Sequence, residues 1–263
     1  MDKKRFLEEL DFITDKCARM AQEYASLRGA MASLDGLENK CSRQAPLKQS
    51  TIRFFNETKN LRVSRIVSVV WALSERAGEN KRRQSSLSCD DPIKPPTKLD
   101  SVKFSGDMTL MRLRDMYRKA VRDYPDIILE KIMLRHAEAT QSELSKLAAT
   151  SNKTLSDLCE RIDQHLSDDG AWHKIEHFRH AFSHSLRFSK ISIDNDWISK
   201  SPDYSYNDLY AFGDRAAQIA IEFIRVWTIS ATYSGVQDIA DLIQEQYGEF
   251  WADFFGNPLF YDE

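Results

Sequence analysis

The sequence predicts an all-α protein, a helical bundle carrying one inserted loop. Three observations lead there. The opening segment places Phe6, Leu10, Ile13, Cys17, Met20, Tyr24, Leu27, Met31 and Leu34 at alternating steps of four and three, the seam of a long helix. Apolar residues recur at helical intervals through most of the remaining chain. Only one stretch, "ISIDNDWISKSPDYSYND", is suited to a non-helical excursion such as a short hairpin.

The bulk properties set limits on what such a bundle does. With 263 residues the chain can bury a full core, and we read it as one elaborated domain over 1–263. Its 42% hydrophobic and 29% charged residues are the balance of a folded chain, not of a disordered one. A net charge of -3 and a pI near 6.1 argue against a protein that coats nucleic acid non-specifically, because that mode needs phosphate-neutralising cations over a broad surface. The start, "MDKKRFLEELDF", is too acidic after its first residues to form a signal core, and the longest apolar stretch, "IVSVVWAL" from Ile66, is too short to span a bilayer. Cys17, Cys41, Cys89 and Cys159 are scattered without a C-x-x-C pair, the pattern of reduced thiols. The expectation is a cytoplasmic protein with no membrane partner.

Taken in order, the first helix reads either as a dimerising coiled coil or as a core helix of a bundle, and the bundle is the reading we carry. A second helix follows in "STIRFFNETKNLRVSRIVSVVWALSERAG", with Ser50 or Thr51 as its cap and Gly78 at its end. Residues 79–107 change character to prolines, serines and a basic knot at Lys81, Arg82 and Arg83, which marks an exposed linker or insertion. From Thr109 to His165 two or three helices fit, with a break around Tyr124 and Pro125 and a cap at Thr140 or Ser142 ahead of Glu143. A further helix from about Asn207 to Ile229 buries Leu209, Phe212, Ala216, Ile219, Phe223 and Val226.

Four of the six histidines fall within "AWHKIEHFRHAFSHSLRF". On a helix turning about 100° per residue, His173, His177, His180 and His184 occupy an arc of roughly 60°. Ile175, Phe178, Phe182 and Leu186 gather opposite, so the apolar face goes to the core and the imidazoles form the wet face. Arg187 lies on the stripe, and Arg179 flanks it with Glu176 and Ser183 as its neighbours. Three readings compete: a plain polar face, a metal site built from the i, i+4 pairs His173/His177 and His180/His184, and an acid/base site acting on a phosphate. The metal reading lacks a carboxylate in register, so we expect no metal and no other cofactor.

Within the stripe, "RHAFSH" supplies Arg179, His180 and His184 as R-H-x-x-x-H. This resembles the signature of the HEPN superfamily (higher eukaryotes and prokaryotes nucleotide-binding), whose members are small helical bundles. The layout of a long first helix, the "FFNETKNLRVSRIVSVVWAL" segment, a variable linker and a helix after the motif is similar to the abortive-infection (AbiU-like) branch. Histidine stands second where the family often has asparagine or aspartate.

The resemblance implies a HEPN-like helical bundle and a metal-independent endoribonuclease of phage-defence or toxin-antitoxin type, acting as a homodimer whose motif helices share one cleft. It implies His184 as general base, Arg179 as the cation at the phosphate and His180 as its orienting neighbour. Arg187, Lys190, His177 and Ser183 would line the path of the RNA substrate, which is expected to bind weakly outside the cleft. An antitoxin or regulatory partner is also implied. The alternative is a HEPN-like module that binds RNA or a protein partner and cleaves nothing.

Overall fold

The computed structural model describes residues 3–41, 48–75, 109–136, 138–187, 205–229 and 233–255. Within them the side chains of residues 38–41, 177, 180–187 and 252–255 are not described. The described residues form eight helices and no strand, as the sequence predicts for an all-α chain. These are α1 (Lys3–Cys41), α2 (Gln49–Ser74), α3 (Leu110–Asp123), α4 (Ile127–Met133), α5 (Gln141–Ser167), α6 (Asp169–Arg187), α7 (Tyr206–Thr228) and α8 (Val236–Phe255). The linker expected at 79–107 and nearly all of the suggested hairpin lie outside the described residues. Among the described residues no helix is long and apolar enough to cross a membrane.

Local chemistry accounts for several of the helix ends. Thr109 caps α3 by accepting from the Arg112 amide at 3.2 Å. Thr140 is the cap of α5, in a reciprocal box with Glu143, whose carboxylate takes the Thr140 amide at 2.8 Å. α2 begins earlier than its suggested caps: the Lys48 carbonyl accepts from the Thr51 and Ile52 amides, so Ser50 and Thr51 lie inside the first turn. α7 stops at Thr228, followed by Ile229 at φ 52°, a left-handed conformation unfavourable to a β-branched side chain.

The chain divides into two compact units. The first comprises Met1–Ala21, Ala72–Asp169 and Arg215–Ser234. It buries Phe6, Leu10, Ile13 and Cys17 of α1 together with the apolar faces of α3, α4, α5 and the second half of α7. Tyr117 meets Phe223 and Trp227 edge-on, with ring centres 5.6 and 6.3 Å apart. Asp11 accepts from the Trp227 indole at 2.5 Å and from Lys131 at 2.7 Å, while the Lys131 ammonium lies 4.2 Å from the Trp227 ring centre. His165 and Ser74, both buried, are hydrogen-bonded at 2.9 Å. Burial pushes the thiols of Cys17 and Cys159 up to about 12, so neither is a nucleophile at neutral pH.

The second unit comprises Gln22–Trp71, Gly170–Asp214 and Gly235–Glu263. It holds the motif helix α6 with the second half of α1, nearly all of α2, the start of α7, and α8. Two glycines set its packing distances. A β-carbon on Gly29 would stand 2.1 Å from the Ala240 carbonyl oxygen, so α1 and α8 meet backbone to backbone. A β-carbon on Gly213 would stand 2.5 Å from the Tyr24 ring. The hydroxyl of Tyr24, brought close by that glycine, donates to the Tyr210 carbonyl at 2.9 Å and to Asp214 at 2.7 Å. Burial raises the Tyr24 hydroxyl and keeps it a donor, and Asp214 adds to the effect. Arg28 completes the group, pairing with Asp214 at 3.4 Å, with its guanidinium carbon 4.0 Å from the Tyr210 ring centre.

Candidate functional site

Trp172, Ile175 and Phe178 are the buried face of α6 among its described side chains. They fit the predicted apolar side, with Trp172 added to it. Phe178 stacks on Tyr206 of α7, ring centres 6.0 Å apart. Lys174 reaches Asp208 of α7 at 2.8 Å. Asp208 also boxes the start of α7 with Ser205, accepting the Ser205 amide at 2.9 Å. Among the described residues, this stacked ring pair and this ion pair both tie the motif helix to α7.

Arg179 is exposed, and its guanidinium carbon lies 4.1 Å from the centre of the Trp71 ring. Trp71 comes from the end of α2, in the apolar run "IVSVVWAL". Trp71 in turn packs on Trp172, ring centres 4.6 Å apart and inclined at 32°, and Trp172 packs on Phe212 of α7 at 6.4 Å. Residues 172 and 179 are two helical turns apart, so they share a face of α6. The arginine therefore belongs to the tryptophan side of the helix. Position 184 is about 140° further round. Among the described residues no carboxylate pairs with Arg179.

Of the other residues singled out in the sequence, His173 is well exposed, with its Nδ1 3.6 Å from Glu176. Backbone positions 177, 180, 183, 184 and 187 are helical, and the side chains of His177, His180, Ser183, His184 and Arg187 lie outside the described residues. Lys190 lies outside them entirely. Among the described residues no three His, Cys, Asp or Glu side chains are arranged to hold a metal ion; three histidines of the stripe are not among them.

Trp71 and Trp172 were not marked by the sequence. Their pairing is a contact between α2 and α6, more than a hundred residues apart in the chain, and no spacing rule carries it. What the fold and this helix define is an all-helical protein with an exposed arginine held on a tryptophan ladder. The chain matches no protein-family model, no characterised protein and no solved structure.

Proposed function

We propose that this chain is a metal-independent endoribonuclease of the HEPN type, serving phage defence or a toxin-antitoxin system, and that it cleaves RNA at a site shared by two copies. The observation that carries the reading is Arg179. Its exposed guanidinium is held over Trp71 at 4.1 Å, on the helix that bears the R-H-x-x-x-H pattern. A planar, permanently charged group on an exposed side chain suits the non-bridging oxygens of a phosphodiester, where charge grows during cleavage.

In this reading His184 takes the proton from the RNA 2′-hydroxyl, since imidazole titrates near neutral pH. The freed oxygen attacks the adjacent phosphorus, and the 5′-oxygen leaves after protonation by the second copy's His184. His180 orients the phosphate, while His177, Ser183, Arg187 and Lys190 line the strand. No set of carboxylates or thiolates surrounds the stripe in the sequence, which favours chemistry without a metal.

The test is incubation of the purified protein with end-labelled total RNA in EDTA. Cleavage yielding 2′,3′-cyclic phosphate and 5′-hydroxyl ends is expected. Specific RNA binding without cleavage would leave the binding-module reading in its place. Cleavage that needs added zinc would transfer the role of the histidine stripe to metal binding.

A further inference from the structure

Arg179 sits at the outer end of a ladder that begins in the core. Phe212 and Trp172 are fully buried, Trp71 is partly exposed, and Arg179 is exposed. The successive separations are 6.4, 4.6 and 4.1 Å. Residues 172 and 179 are separated by about 10.5 Å of rise along α6, room for one indole between their side chains. Trp71 occupies that room and touches both.

The contact acts on a long, flexible side chain. An exposed arginine ordinarily samples many rotamers, and fixing it for catalysis costs side-chain entropy at the moment of reaction. A guanidinium already held over an aromatic ring, as Arg179 is at 4.1 Å, gives up part of that freedom beforehand. Stacking uses the π-face of the guanidinium and leaves its N–H edge, the part that grips a phosphate by two parallel hydrogen bonds. Tryptophan is the strongest of the aromatic partners for such a cation.

We propose that Trp71 is the positioning residue of Arg179, and that the Trp71–Arg179 pair is the phosphate-binding element of the site, with the N–H edge of Arg179 turned to a phosphodiester of single-stranded RNA. The proposal rests on the ribonuclease reading. Trp71 itself does no chemistry: it presents the guanidinium pre-ordered, with Trp172 and Phe212 as its rigid backing.

The experiment compares Trp71→Phe, which keeps an aromatic face, with Trp71→Leu, which keeps bulk without one. Two readouts are taken on each: the Nε–Hε NMR signal of Arg179, assigned by its loss in Arg179→Ala, and the single-turnover cleavage rate. In the wild type the ring current of Trp71 should shift the Arg179 Hε signal upfield. The shift should persist in part in Trp71→Phe and vanish in Trp71→Leu. Single-turnover cleavage by Trp71→Leu should fall on the order of 10- to 100-fold at saturating enzyme, with Trp71→Phe intermediate and the half-saturating concentration changed less than the maximal rate. Thermal melting of both variants separates this from loss of fold, because a merely structural role would lower stability without singling out the aromatic variant for rescue. Wild-type cleavage rates in Trp71→Leu would overturn the assignment of Trp71 alone. An unshifted Arg179 signal in the wild type would overturn it as well. Failure of the wild type to cleave any RNA would instead overturn the ribonuclease reading beneath it.

Discussion

Lys174 of α6 donates to Asp208 of α7 at 2.8 Å, and so ties the motif helix to the residue that boxes the start of its neighbour. Lys174 first, and the Ser205 amide next, hold the Asp208 carboxyl down to about 2, well under the ordinary aspartate range. A carboxylate whose folded pKa is depressed contributes stability above its unfolded pKa of about 3.9 and loses it as pH falls through the folded value. Both side chains are about one third exposed, at 33% and 32%, so solvent weakens the pair.

Asp208→Asn should therefore destabilise the protein by about 1 kcal/mol at pH 7. The difference from wild type should narrow between pH 4 and pH 2, as wild-type Asp208 takes up its proton. Urea midpoints at pH 7, 4 and 2.5 measure this. A gap that stays constant across the range would assign the effect to the cap hydrogen bonds and remove the ion pair from the account.

Arg179→Ala and His184→Ala should each lower cleavage by at least about 100-fold, the usual effect of removing one charged or proton-transferring group at a reacting phosphate. Arg179→Lys should recover little, since a lysine has neither the planar face that stacks on Trp71 nor the paired donors. Arg179 is exposed, so the melting temperatures of its variants should stay within a few degrees of wild type. Retained activity in Arg179→Ala would remove the arginine from the site.

Periodicity made much of this fold legible. Phe6, Leu10, Ile13, Cys17, Tyr24, Met31 and Leu34 of the predicted seam are buried, and Ala18, Ala21 and Ala25 widen that face beyond a two-helix seam, as a core helix requires. Leu209, Phe212, Ala216, Ile219 and Phe223 of α7 are buried as predicted, while Val226 is only partly covered and Trp227 takes the core position. Thr140 and Glu143 announced the start of α5 because a capping box is local chemistry. α8 went unmarked: among its described side chains only Val236 and Trp251 are buried, and Ile239 and Ile243 are half covered, so the apolar face they form is narrow. At the site, the amphipathic sense of α6 could be read from Ile175 and Phe178. The seat of Arg179 could not, because Trp71 reaches it through tertiary packing.

The same limit applies to glycines, whose roles depend on what faces them. Gly29 and Gly36 lie two turns apart on α1 and read alike in the sequence. A β-carbon on Gly29 would run into the Ala240 carbonyl, whereas one on Gly36 meets nothing within 4 Å among the described residues. Gly29→Ala should cost about 1–3 kcal/mol through overpacking, less the helix-propensity gain. Gly36→Ala should stabilise by about 0.5–1 kcal/mol, because alanine loses less backbone entropy in a helix. Denaturation of the two variants side by side checks the sign of each. A stable Gly29→Ala would mean that α1 and α8 are not in backbone contact.

The final prediction concerns the number of chains in the proposed site. Positions 179 and 184 are separated by five residues of α6, about 7.5 Å of rise and about 140° of rotation. One straight helix does not aim both at the same phosphorus, and cyclising cleavage also profits from an acid opposite the base. A symmetric pair of α6 helices would meet both needs, with each copy bringing Arg179 and His184 to one cleft and the two imidazoles flanking the scissile phosphate. Light scattering should then give a dimer under assay conditions. The sharper test is a heterodimer of wild type with His184→Ala, isolated by two different tags after co-expression. If both imidazoles serve one cleft, this species loses its acid or its base and should retain less than about 5% of the wild-type rate. If each chain holds a complete site, one of the two sites survives and about half of the rate remains. Half-activity, or full activity in a monomer, would rule out the shared cleft and leave Arg179 and His184 to meet through a rearrangement within a single chain.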